Sequence, residues 1–299
     1  MTMTQILSQG LHHNLILADG SRWIIAAGDD EAASVVSQLH HAMQMSVTTG
    51  SVERSHHSVV RRLLVLVDPH KPEASSATCY VPLLSESSGF AVCVLRPAAD
   101  SDGLFVQLVQ LSLIFAHDAQ ARGGVLIHGA LAERNGSGVI LAAPGGIGKT
   151  TASNRLPAPW KSLCDDTTLV VRDPQGNYCA HPWPTWSRFL WGGSGGSWEV
   201  QNAVPLKGIF FLRQALEERI ERVGTGQAVS LLVECAAQAS QLMTRGLGKE
   251  ETRGLHLERF NNLCALARVV PTHVLHISLT GAFWQEIEQV LSRSHCEGT

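Results

Sequence analysis

The chain contains no Cys-x-x-Cys pair, no apolar run long enough to span a bilayer, and no excess of basic residues. Each absence removes a class of function. The seven cysteines, Cys79, Cys93, Cys164, Cys179, Cys235, Cys264 and Cys296, are odd in number and scattered. They read as reduced, mostly buried thiols rather than a disulfide framework. Cys179-Ala-His181 supplies only two ligands, too few for zinc. The longest apolar stretch, Leu104 to Ala116, is interrupted by Gln107 and Gln110. It falls short of the roughly 20 residues that a membrane helix needs. Met1-Thr-Met-Thr-Gln lacks a basic segment followed by an apolar one, which predicts no secretory signal and a cytoplasmic location. A net charge of −3 gives no electrostatic footprint for nucleic acid. The pairs His12-His13, His40-His41 and His56-His57 have no ligand spacing and read as surface histidines.

What remains is a soluble globular composition, 44% hydrophobic over 299 residues, with room for two domains. Residues 1–102 read as a small α+β domain. Asp19-Gly20 between apolar runs predicts a hairpin over Leu15–Ile25. Asp29 or Asp30 caps a predicted helix running to about Met45, with Ala33, Val36, Leu39 and Met43 on one face. Val59–Val67, Thr78–Leu84 and Phe90–Leu95 read as strands. Pro97 to Gly103 marks the boundary, and residues 103–299 form the second domain. This opens with a helix over Leu104–Ala121, apolar nearly all round and therefore buried. Further elements are expected at Thr168–Val171, Lys207–Leu212 and His273–Leu279 (strands) and at Ala228–Thr244, Leu255–Val269 and Phe283–Arg293 (helices).

Ala143-Pro-Gly-Gly-Ile-Gly-Lys-Thr150 is the most informative stretch. It has the residue types that wrap backbone around a nucleotide's phosphates. Glycines Gly145, Gly146 and Gly148 let amide groups turn inward where a Cβ would obstruct them. With Ile147 and Thr151 they line the expected cradle. Lys149 brings an ammonium group to the phosphates, and Thr150 a hydroxyl to Mg²⁺. Ala143 stands where the strict pattern has its first glycine. The apolar run Val139–Ala143 is the buried strand that such a loop requires. Asn135-Gly136 predicts that this strand pairs antiparallel with Gly124–Ala132, so the loop is entered through a hairpin. Pro157 and Pro159 end the following helix near Leu156.

Asp165 and Asp166 follow Lys149 by 16 and 17 residues. One carboxylate near a terminal phosphate can hold Mg²⁺, and a second can take the proton of an attacking hydroxyl. Adjacent residues of a strand point to opposite faces, so a turn or bulge is needed for both to serve one site. The sequence has no Asn-Lys-x-Asp for guanine, no Leu-Ser-Gly-Gly-Gln segment of ABC ATPases, and few arginines over 151–200 for a kinase lid. The apolar strand follows Asp166 instead of preceding it, which is the reverse of Walker B order.

Leu126-Ile-His-Gly-Ala-Leu-Ala-Glu133, the Asn-Gly turn, Gly145–Thr150 and Leu163-Cys-Asp-Asp166 together resemble the core of the HPr kinase/phosphorylase family. The resemblance covers residues 122–172 well. It implies an α/β fold: a PEP carboxykinase/HPr kinase-like P-loop domain with a mixed sheet, preceded by the small α+β domain. It implies ATP and Mg²⁺, and homo-oligomers. It makes Asp165 the general base, places Asp166 and Thr150 on the metal, and has His128 tune the carboxylate pair. The family's Glu-x-Arg-Gly-x-Gly signature is missing before the Lys207 strand, and Glu199 is the nearest candidate for its metal-binding glutamate. His181-Pro-Trp-Pro-Thr-Trp-Ser187 and Val270-Pro…Phe283-Trp-x-x-Ile-Glu288 also resemble the ScmC group of SynChlorMet cassettes. That resemblance implies a ribosomal peptide or its modifying enzymes as partners.

The sequence thus favours a kinase that phosphorylates a Ser or Thr hydroxyl of a peptide or protein. A silent ATP-binding module that gates a modification complex and a small-metabolite kinase are the alternatives. Four tryptophans among glycines and prolines (Trp183, Trp186, Trp191 and Trp198) could hold a peptide or fill a packed loop, and Arg188 could meet a transferring phosphate.

Overall fold

The turn after Leu17 folds β1 (Leu11–Ile16) back on β2 (Ser21–Ala27), with His13 opposite Ile25 and Ile16 opposite Arg22. The hairpin forms, but its turn is not the primed one that Asp-Gly favours: only Gly20 is left-handed, at a φ of 81°, and its amide donates to Leu17 O at 3.1 Å across Ala18 and Asp19. The computed structural model describes residues 11–49, 59–70, 80–81, 89–144, 146–192, 196–244 and 247–296. Residues 78–79 and 82–84 of one expected strand lie outside them, as do His56 and His57.

Helix α1 (Asp30–Met43) starts at Asp29, whose carboxylate accepts the amide of Ala32 at 2.8 Å. The other oxygen accepts the amide of Val67, tying the helix start to the neighbouring strand. Ala32, Val35, Val36, Leu39, Ala42 and Met43 are buried, whereas Ala33 is exposed. Ala32 takes the expected place of Ala33 because it precedes Val36 by four residues and Leu39 by seven. Strands β3 (Ser46–Thr49), β4 (Val59–Val67), β5 (Tyr80–Val81) and β6 (Phe90–Leu95) complete a mixed sheet in the order β3-β1-β2-β4-β6-β5. His12 and His13, expected on the surface, are buried in this sheet, because alternation along β1 points them to opposite covered faces.

Helix α2 (Ser101–Ala121) is capped by Asp100, one turn before the expected start. Leu108, Leu111, Phe115 and Ala119 bury it against both halves of the molecule, with Trp23 edge-on to Phe115 at 5.2 Å. One hydrophobic cluster runs from Leu15 and Trp23 through this helix to Ile127 and Val274.

The second sheet begins with β7 (Val125–Arg134) and β8 (Ser137–Ala142). Asn135 (φ 52°) and Gly136 (φ 77°) are both left-handed, as a primed turn requires. After β8 come α3 (Lys149–Asn154), β9 (Lys161–Cys164), β10 (Thr167–Arg172), β11 (Tyr178–Trp183) and α4 (Trp186–Trp191). Then follow β12 (Val204–Gln214), β13 (Arg219–Arg222), α5 (Thr225–Ala239), α6 (Lys249–Val269), β14 (Thr272–Ile277) and α7 (Trp284–Cys296). The strand order is β11-β10-β7-β8-β12-β14-β13, with β9 also on β7. β8, β12 and β14 run parallel. The protein is therefore mixed α/β, with two mixed sheets and seven α-helices among the described residues. Phe210, Leu212, Leu275, Phe283 and Ile287 pack α7 and α3 on one face of these strands. Among the described residues no helix is long and apolar enough to cross a membrane.

A line of hydrogen bonds joins the halves beyond α4. Trp198 N–H donates to Ala42 O, Gln44 Nε2 to Ser197 Oγ, and Ile16 N–H to the Gln201 side chain. Fully buried His181 spans the same seam: Nε2 accepts the Ala18 amide, so Nδ1 carries the proton given to Val200 O.

Candidate phosphate-binding site

The chain leaves β8 at Ala142 and enters α3 at Lys149 through the glycine loop. Gly146 and Gly148 have φ of 82° and 103°. No atom lies within 4 Å of a Cβ built at either, so the glycines are required by backbone conformation and open space lies beside them. Gly145 lies outside the described residues. The first-turn amides of Lys149, Thr150 and Thr151 have no carbonyl four residues back within the helix. Thr150 and Thr151 are exposed.

Lys149 is buried, with 6% of its surface exposed. Its Nζ donates to Ala143 O at 2.9 Å and Pro144 O at 3.3 Å, and lies 2.7 Å from His128 Nε2. An ammonium has no lone pair, so Nε2 accepts and the imidazole proton sits on Nδ1. That nitrogen is 3.5 Å from Asp166 Oδ1. Burial lowers the lysine pKa from its usual value, and the Asp166 charge opposes the fall. Burial lowers the His128 pKa too; Asp166 pulls it up and Lys149 pushes it further down.

Asp165 and Asp166 occupy a two-residue bend between β9 and β10. Both strands run antiparallel along β7, Cys164 opposite Leu131 and Thr167 opposite His128. The ladder to β7 shifts by one within β9, where Leu163 is left between Ser162 opposite Ala132 and Cys164 opposite Leu131, and keeps its register from Cys164 across the bend to Thr167. The bend divides the carboxylates. Asp166, its side chain 41% exposed, faces His128 and accepts from the Thr167 hydroxyl. Asp165, 11% exposed, accepts from Thr185 Oγ1 at 3.0 Å and lies 3.5 Å from Arg188 Nη1.

The loop stands at the carboxyl ends of β8, β12 and β14, where open parallel sheets place their ligands. Gln214, the last residue of β12, donates to Ile147 O at 3.3 Å. Arg155, just past α3, donates to Ser278 O and Gly281 O beyond β14. The Cys235 thiol on α5 feels the Lys149 charge, yet burial pushes its pKa up to about 11 and keeps it neutral. Sequence reasoning missed Thr185, Gln214 and Cys235. Only Gln214 had a readable signal, as a polar residue ending an apolar strand.

The structure thus brings together His128, Lys149 and Asp166, with Asp165 beside them. Glu199 is not joined to this group: it accepts from Asn202 at 3.2 Å, next to the seam with α1. Among the described residues no group of three or more His, Cys, Asp or Glu side chains is placed to hold a metal. Trp183, Trp186 and Trp198 are buried and fill the core, whereas Trp191 is 52% exposed and stacks on Phe105 at 5.2 Å.

The family model for SynChlorMet cassette protein ScmC matches residues 91–292, from β6 into α7. The match includes all of the residues gathered here. None of the curated proteins compared with the chain matches it.

Proposed function

The chain belongs to the ScmC family of SynChlorMet cassette proteins, and from that premise we propose that it is an ATP- and Mg²⁺-dependent kinase. Its acceptor in this reading is a Ser or Thr hydroxyl of a peptide or protein handled by the cassette. Its second sheet is then a P-loop domain of the PEP carboxykinase/HPr kinase type. One observation carries the reading: Lys149, His128 and Asp166 form a contact chain beside an open glycine loop, with a second carboxylate one residue away.

The residues fit the group they would hold. Gly146 and Gly148 leave room for phosphate oxygens against backbone amides. Lys149 exchanges carbonyl oxygens for phosphate oxygens without leaving its pocket. Thr150 and Asp166 offer oxygens to Mg²⁺, which offsets charge on the phosphates when bound. Asp165 takes the proton of the acceptor hydroxyl while its oxygen bonds to phosphorus and the bond to the leaving diphosphate breaks. Arg188 swings from Asp165 to the charge that develops. Glu199 has no role here.

A second reading, a nucleotide-gated module that assembles a modification complex, draws on Asp165 being already engaged by Thr185 and Arg188. Incubation with γ-labelled ATP and extract of cells carrying the cassette decides. Label on one peptide or protein supports the kinase, label on a small molecule points to a metabolite kinase, and ATP binding without any label supports the module. D165N is expected to bind ATP normally and lose transfer by about 10²–10⁴-fold.

A further inference from the structure

The hydroxyl of Thr185 is bonded to the carboxylate that the reading above makes the general base. Its Oγ1 donates to Asp165 Oδ1 at 3.0 Å, within the range of a nucleophile and its base. Thr185 occupies the cap position of α4, where a threonine hydroxyl ordinarily accepts a helix amide. Here it makes no such bond, and its proton goes to the carboxylate instead. With that proton engaged, the lone pairs of Oγ1 are left for attack. The residue is partly exposed, and its carboxylate partner adjoins the one that faces His128 and Lys149. Arg188, one turn further on and 55% exposed, lies 3.5 Å from the same Asp165.

We propose that Thr185 is an autophosphorylation site, modified in cis by the chain's own phosphate loop. The proposal rests on the ATP-binding reading above and adds a second acceptor to it. The Thr185 Oγ1–phosphorus bond forms as the bond from the γ-phosphorus to the β,γ-bridging oxygen breaks. ADP leaves, and the hydroxyl proton passes to Asp165 and then to water. The product carries about −1.5 to −2 charges beside Asp165. Repulsion separates the new phosphate from that carboxylate, and Arg188 supplies its counter-charge. The base is then released from its resident threonine.

The test uses the purified full-length chain with Mg²⁺ and γ-labelled ATP, read by tandem mass spectrometry and by thermal shift. One phosphoryl group on Thr185 is expected, at a rate independent of protein concentration over about a hundredfold dilution, as a unimolecular step requires. T185S should retain modification at that position. T185V and D165N should lose it by about a hundredfold or more while keeping the ATP-induced thermal shift. A chain that shows the shift but carries no phosphate at Thr185, or carries it only elsewhere, overturns the inference and leaves the nucleotide site standing. Absence of the shift in the unaltered chain removes both.

Discussion

Nζ of Lys149 and Nε2 of His128 lie 2.7 Å apart, a buried contact between residues 21 positions apart in the chain. Strand β7 fixes the imidazole from one side and the loop after β8 fixes the ammonium from the other. The other ring nitrogen of the histidine lies 3.5 Å from Asp166 Oδ1.

This coupling can be measured. H128L should cost about 1–3 kcal/mol in urea unfolding, because a buried ammonium loses an acceptor. K149M should cost a similar amount. The double variant should lose less than the sum of the two, since the penalty for breaking their mutual contact is then counted once instead of twice. Strictly additive losses would show that the contact does not form.

Gly148 and Gly123 provide a matched pair. Both have left-handed φ, 103° and 91°, and neither has an atom within 4 Å of an added Cβ. Alanine at either should cost about 1–2 kcal/mol of stability by strain alone. Only G148A should also weaken ATP binding, by isothermal titration, because Gly123 belongs to the turn between α2 and β7 and not to the glycine loop. Equal affinities for the two variants would remove the glycine loop from phosphate binding.

His13 bears on stability in acid. Burial, with the nearby His40 and His12, lowers its pKa to about 4. A depressed value means that the folded state keeps the ring neutral while the unfolded chain protonates near 6.5. Its contribution is complete above pH 6.5 and is lost as pH falls toward 4. After allowance for solvent screening, the loss is about 1–2 kcal/mol. H13F should flatten the melting temperature between these pH values, and an unchanged acid slope would refute this assignment.

Arg122 ties the first hairpin to α2. Its Nη2 lies 2.7 Å from Asp19, and it also pairs with Asp118, both carboxylates being about 5% exposed. R122A should destabilise by about 3–5 kcal/mol, because it strands buried charge. R122K should recover only part of this, since one ammonium nitrogen replaces the three guanidinium nitrogens, Nε, Nη1 and Nη2, that reach the two carboxylates. A loss under about 1 kcal/mol for R122A, which is the scale of an exposed pair, would contradict this packing.

Much of this architecture was legible in the sequence because local chemistry dictates it. Asn135-Gly136 specifies its primed turn, Gly20 marks the first hairpin though not its turn type, and Asp29 caps α1 by its own side chain. The loop to Lys149 and the bend at Asp165-Asp166 carry their signals in contiguous residues. Long-range pairing left no such trace. Strands β9 and β13, four residues each and rich in polar side chains, exist through their partners β7 and β14. Thr185 reaches Asp165 across 20 residues, and no spacing rule predicts that. The tryptophans of 181–198 were ambiguous because indole serves a core and a ligand equally well, and three of the four went to the core.

The seam at Trp198, Ser197 and Gln201 has a mechanical consequence. Helix α4 has three supports: β11 on the second sheet, α2 through Trp186–Ser112 and Trp191–Phe105, and the bonds of residues 197–201 to Ala42 and Gln44 at the end of α1 and Ile16 of β1. A load that shifts the first sheet pulls the downstream anchorage of Arg188 along with it. Cutting the chain at residue 103 would therefore take away one of these supports and leave the other two.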